Sequence, residues 1–155
     1  MNSILNIELK DGIVQIEMFD QIAPNHVEQI KRLASEGFYN GLTFHRVIEG
    51  FMAQGGCPIG NGTGDAGNHL NAEFNDITHD RGICSMARSA SPNSASSQFF
   101  ICLAPSPFLD QKYTVWGKVI NGMEFVDNIK KGNKTMNGAV QQPDRMIRVW
   151  VTTSN

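Results

Sequence analysis

The clearest pattern in the chain is a two-residue alternation at its start. Leu5, Ile7 and Leu9 alternate with Asn6, Glu8 and Lys10, and Val14, Ile16 and Met18 alternate with Gln15 and Glu17. This period predicts two strands, each with one buried face. The intervening Asp11-Gly12 predicts a hairpin turn. The period then lengthens. Behind Pro24, Val27, Ile30, Leu33 and Ala34 recur at helical spacing, and Gly37 supplies the stop. Apolar runs at 42–48, 51–54, 83–87, 99–103 and 113–120 predict further strands. Residues 123–131 predict a short helix with Val126 and Ile129 inward and Gly132 at its end. Ile147, Val149 and Val151, alternating with Arg148 and Thr152, predict a last strand. About eight strands, two helices and glycine-rich connections describe a mostly β fold, a closed barrel or sandwich.

Residues 57–81 are the least regular stretch and predict a long surface excursion, of a length usually tied to function. No repeat, low-complexity tract or linker divides the chain, so residues 1–155 predict a single domain. The 41% apolar and 18% charged content exclude a disordered chain. A formal charge of −2 gives no general attraction to nucleic acid or to an anionic membrane. The N-terminal stretch lacks a basic region and a long apolar region, and no run reaches the roughly 20 apolar residues of a membrane span. A monomeric, cytoplasmic protein is the expectation.

Motifs for other chemistries fail on context. Gly62-Thr63-Gly64-Asp65-Ala66-Gly67 fits GxGxxG, but neither a preceding apolar strand nor a following helix frames it. It reads instead as a run of tight turns. His26, His45, His69 and His79 lack metal-site spacing. His26, in the first helical turn, is expected to be solvated, and His45 to be a hydrogen-bonded core histidine. Cys57, Cys84 and Cys102 form no CxxC and read as ordinary reduced cysteines, with Cys57 the one open to exposure. The serine-rich stretch before Phe99 carries no nucleophile elbow. No metal or cofactor is expected.

The segment FHRVIEGFMAQGG, Phe44 to Gly56, sets Arg46 in an apolar strand with no carboxylate beside it. Together with GNGTG, SQFFI and FLDQKYTVWGKVINGMEFVDNI it resembles the cyclophilins, a family of peptidyl-prolyl cis–trans isomerases. The resemblance runs over nearly the whole chain. It implies a closed eight-stranded antiparallel β-barrel capped by two helices, with the site in a groove on the outer face, since so small a barrel is filled by side chains. It places the catalytic arginine at Arg46 and a proline pocket at Phe51, Met52, Phe100 and Leu109. Groove glutamines fall at Gln54 and Gln98, and substrate-pairing backbone near Ala87 and Arg88. Phe108 stands where many members have tryptophan and Tyr113 where many have histidine. The indole N–H is thereby lost, so cyclosporin, a possible ligand by resemblance, is expected to bind weakly. The implied partners are proline-containing peptides and flexible protein segments. The competing reading is a proline-peptide binding module with little turnover.

These residue types suit the reaction. Rotation about a peptide bond faces about 18–20 kcal/mol because the C–N bond has double-bond character. The twist makes no bond and breaks none, so neither nucleophile nor metal is needed. The prolyl nitrogen gains a lone pair as it twists, and a donor placed there binds the twisted state best. Phe99 and Phe100, as strand neighbours, face opposite ways, so one can be core while the other lines a groove.

Overall fold

The computed structural model describes residues 2–153, so residues 1, 154 and 155 of the expected domain span lie outside the described residues. The strands are β1 (Ser3–Glu8), β2 (Ile13–Met18), β3 (Arg46–Ile48), β4 (Met52–Gly55), β5 (Ile83–Met86), β6 (Phe99–Cys102), β7 (Val115–Asn121) and β8 (Arg148–Thr153). Two helices accompany them, α1 (Pro24–Ser35) and α2 (Met123–Asp127). The strands form one antiparallel sheet in the order β3-β4-β6-β5-β7-β2-β1-β8.

Strand number and direction match the expected barrel. Closure by a continuous ladder does not occur among the described residues, because β3 and β8 are the two ends of the sheet. Loop segments span the seam between them. Gly41 N–H donates to Met146 O at 2.6 Å, Phe44 N–H to Asp144 O at 3.0 Å, and Thr43 forms an isolated bridge with Arg145. The predicted strand at 42–48 is accordingly shorter, since residues 42–44 pair with this irregular stretch. Tyr113 likewise precedes β7, and α2 ends four residues early, although Val126 and Ile129 are buried as expected.

Local chemistry explains several boundaries. In α1, Phe38 N–H reaches Leu33 O and Gly37 N–H reaches Ala34 O, with Gly37 at φ +77°. This is a left-handed glycine stop of the Schellman type. In the first hairpin, Leu9 and Gly12 exchange hydrogen bonds, so Lys10 and Asp11 are the central turn residues rather than Asp-Gly. Neither takes positive φ. Gly12 matters for another reason: a Cβ there would stand 2.5 Å from the Phe125 ring. β1 is buried on both faces, contrary to the alternation. Its Asn6 is satisfied there by Trp150 O, Thr152 Oγ1 and Gln15 Nε2. Ile147, expected inward, is exposed and sits just before β8.

His26 is fully buried, not solvated. The long excursion reaches α1 and covers it. Ala23 offers no side-chain cap, and Glu73 replaces it: its carboxylate accepts from His26 N–H at 2.8 Å and Asn25 N–H at 3.2 Å. His26 Nδ1 lies 2.5 Å from Glu73 Oε1. Burial lowers the His26 pKa, although the Glu73 bond opposes it. Glu73→Ala should therefore cost about 1–3 kcal/mol in urea unfolding, the value of a helix cap plus a buried partner left unpaired. A loss under about 0.5 kcal/mol would mean that the carboxylate is no cap at all.

Candidate active site

The β3–β4 hairpin sets the geometry. Glu49, Gly50 and Phe51 form a three-residue loop with Gly50 at φ +74°, and Phe51 N–H donates to Ile48 O. That loop fixes a register in which Arg46 opposes Gln54 and Ile48 opposes Met52. The next ladder places Gln54 opposite Phe100 and Met52 opposite Cys102. Because side chains alternate, one face carries Arg46, Met52, Gln54 and Phe100. The other face sends Val47, Ala53, Phe99 and Ile101 into the main core. Met52, Phe100, Cys102 and Leu109 form a second, smaller cluster, joined by Ile48, Phe51, Ala87 and Tyr113. The division of Phe99 and Phe100 between core and groove is as the alternation predicts.

A pocket of about 150 Å³ opens on this second cluster, with six apolar or aromatic side chains among the nine around it. Arg46, Phe51, Met52, Gln54, Ala87, Arg88, Phe100, Leu109 and Tyr113 line it. Nine of the eleven predicted site residues thus share one cavity. Gln98 lies instead in an adjoining polar pocket of about 250 Å³, with Gly62 to Asp65, His69, Ser94 and Ser96. Phe108 stands 62% exposed at the rim, its ring 5.4 Å from that of Phe51. Ala87 N–H is already bonded to Gln98 O at 3.0 Å, and Ala87 and Arg88 border both pockets.

Arg46 is held by neutral partners. Its Nε donates to Asn137 O at 3.0 Å, Nη2 to Asn137 Oδ1 at 3.1 Å, and Nη1 to Gln54 Oε1 at 3.1 Å. A guanidinium has five N–H groups, so two are left for a ligand. Burial lowers its pKa, yet an arginine stays charged near neutrality. Gln54 Nε2 in turn donates to Gln98 Oε1 at 3.0 Å, and Gln98 Nε2 to Gly62 O and Gly64 O, each at 2.9 Å. The two glutamines thus form a relay from the cation to the long excursion. Its glycine run is a set of turns, as expected, with positive φ at Gly62 and Gly67.

Asn137 escaped the sequence reading. It takes φ +57°, followed by Gly138 at φ +82°, and a Cβ on Gly138 would meet Ile48 Cγ1 at 2.5 Å. The Asn-Gly pair was the available signal of a tight turn; its arrival beside Arg46 was not encoded locally. His45 is buried, but its Nδ1 has no partner, correcting the expected hydrogen bond. Burial first, then the neighbouring Arg46 charge, disfavour its protonated ring. Cys57 is buried as well. Burial pushes its thiol pKa up, but surrounding backbone N–H groups, led by that of Gly64, outweigh this and lower it. Among the described residues no cluster of histidine, cysteine and acidic side chains could hold a metal ion, and no helix is long and apolar enough to cross a membrane.

A notch with a fixed cation at its mouth, built on an eight-stranded antiparallel sheet, is the arrangement that the cyclophilin resemblance implied. The family model described as "Cyclophilin type peptidyl-prolyl cis-trans isomerase/CLD" matches residues 4–151, and the chain belongs to that family. A probable peptidyl-prolyl cis-trans isomerase of Brucella suis is 50% identical, over 94% of this chain and 80% of the relative. Peptidyl-prolyl cis-trans isomerase B of Bacillus subtilis is 47% identical, over 81% and 89%. Among solved structures, a Cryptosporidium parvum cyclophilin crystallised in the presence of the dipeptide Ala-Pro superposes with a TM-score of 0.87 at 28% identity, over 97% of this chain and 99% of that one.

Proposed function

We propose that the groove catalyses rotation about Xaa-Pro bonds with Arg46 as the catalytic donor, and that this monomer assists the folding of cytoplasmic client proteins. One observation carries the reading: the Arg46 guanidinium is locked by three neutral contacts at the edge of the groove's pocket, with two N–H groups uncommitted. Phe51, Met52, Phe100 and Leu109 hold the pyrrolidine ring while the preceding carbonyl swings. As conjugation is lost, the prolyl nitrogen becomes an acceptor and meets Arg46. The interaction exists only in the twisted state, so it lowers the barrier rather than merely tightening binding. The dry wall strengthens it. Gln54 orients the guanidinium, Gln98 orients Gln54, and the main chain near Ala87 and Arg88 carries the flanking peptide. One charged hydrogen bond supplies roughly 1.5–3 kcal/mol, so substrate twist and desolvation provide the remainder of the lowering. That a structural relative was crystallised in the presence of Ala-Pro supports proline peptides as the substrate class.

A protease-coupled assay on an Xaa-Pro peptide separates the readings. An isomerase gives fast cis-to-trans exchange. A binding module gives saturable binding without acceleration, and a hydrolase cleaves the peptide itself. Cyclosporin provides a second test, aimed at the rim. Phe108 supplies an apolar ring but no N–H. Phe108→Trp should tighten cyclosporin by about tenfold in calorimetry, the value of one hydrogen bond. Unchanged affinity would remove the donor argument.

A further inference from the structure

Behind the groove, three side chains fall into line. Asp110 Oδ1 is 3.0 Å from His79 Nδ1, and His79 Nε2 is 3.0 Å from Ser85 Oγ. The order matches a hydrolytic relay, but Ser85 and His79 are sealed from solvent and Ser85 Oγ also lies 3.0 Å from Thr114 O. No substrate reaches that hydroxyl. What the array does touch is the pocket. The His79 ring lies nearly parallel to Phe100, centroids 6.1 Å apart at 16°. Phe100 meets Tyr113 edge-on at 5.7 Å, and Arg88 covers the Tyr113 ring at 4.7 Å.

The main chain of His79 adds a second connection. Its N–H donates to Asp110 Oδ1 at 2.8 Å and its carbonyl accepts from Ser106 N–H at 2.7 Å. Ser106 and Asp110 flank the 3₁₀ turn Pro107–Leu109, which carries rim residue Phe108 and wall residue Leu109. One residue therefore clamps that turn at both ends while its ring backs Phe100. We infer that His79 is a positioning residue of the isomerase, setting the spacing between the pocket floor at Phe100 and the wall at Leu109. Few side chains meet the requirement. A phenylalanine offers the flat face without the two nitrogens, and an asparagine offers a donor without the face. The Asp110 carboxyl is held below its usual range, first by the His79 main-chain N–H and then by its ring, which keeps it an acceptor for both.

This rests on the groove being the proline site, and the experiment keeps the two claims apart. NMR titration and exchange spectroscopy on an Ala-Pro-containing peptide give the Kd and the exchange rate of bound peptide separately. His79→Asn should weaken Kd by about tenfold while bound exchange changes less than about threefold, because the floor serves planar and twisted states alike. His79→Phe should fall between it and wild type. A purely structural role would lower the folded fraction and leave Kd unchanged in the molecules that fold; that result overturns the inference. Should His79→Asn not fold, Ser85→Ala and Asp110→Ala each remove one partner of the ring. Unaltered Kd in both overturns it equally. Arg46→Ala reports on the groove itself: if bound exchange survives that change, the site assignment fails whatever His79 does.

Discussion

Arg46→Ala should cut kcat/KM on an Xaa-Pro peptide by roughly 10–100-fold, the value of a charged hydrogen bond of about 1.5–3 kcal/mol, with peptide affinity nearly unchanged. The split follows from where the interaction is made. In either planar isomer the prolyl nitrogen has no lone pair to offer, so the lost donor costs the ground state little. The side chain is half-buried and its partners Gln54 and Asn137 can rebond to water, so the fold should tolerate the change. Arg46→Lys should recover only part of the rate. A single ammonium cannot hold both Asn137 oxygens and Gln54 while presenting a further N–H to substrate. Rates for Arg46→Ala within about twofold of wild type would remove Arg46 as the catalytic donor and, with it, the assignment of this groove as the site.

The second large effect separates two neighbouring residues. Phe99→Ala should cost about 3–5 kcal/mol of stability, the range for deleting a fully buried ring. Phe99 packs edge-on against Tyr39, Phe44 and Trp116, with centroids 5.7, 6.4 and 5.6 Å away, and no solvent path relieves the cavity. Phe100→Ala should cost less, because the void opens into the groove and water enters it. Its effect falls on function: with the pocket floor gone, peptide binding should be lost. Chemical denaturation and peptide titration on both variants decide the matter. Equal stability losses, with binding retained in Phe100→Ala, would place Phe100 in the structural core and remove it from the site.

Much of this could be read from the chain. The alternation at Leu5–Leu9 and Val14–Met18 located β1 and β2, and the periodicity behind Pro24 located α1. The opposition of Phe99 and Phe100 needed only the two-residue pleat. The apolar set and Arg46 were marked by a motif, and nine of the eleven residues so marked line one cavity. The errors share a cause. His26 looked solvated because its cover, Glu73, lies far along the chain in an excursion without regular structure. Ile147 kept the strand pattern but sits outside β8, and β1 is buried on the face its alternation marked as polar. Each depends on which segment arrives from elsewhere.

By itself, then, the sequence determined what is periodic or local: strand and helix identity, the glycine stop after α1, and the residue types able to assist amide rotation without bonds being made. The tertiary structure alone decided which groups hold the cation, the Asn137 clamp, the Gln54–Gln98 relay and the His79 support behind Phe100. It also decided that the sheet ends at β3 and β8 with loops across the seam. The physical reason is that hydrophobic periodicity is written residue by residue. A hydrogen bond between positions 46 and 137 exists only once the intervening chain has folded.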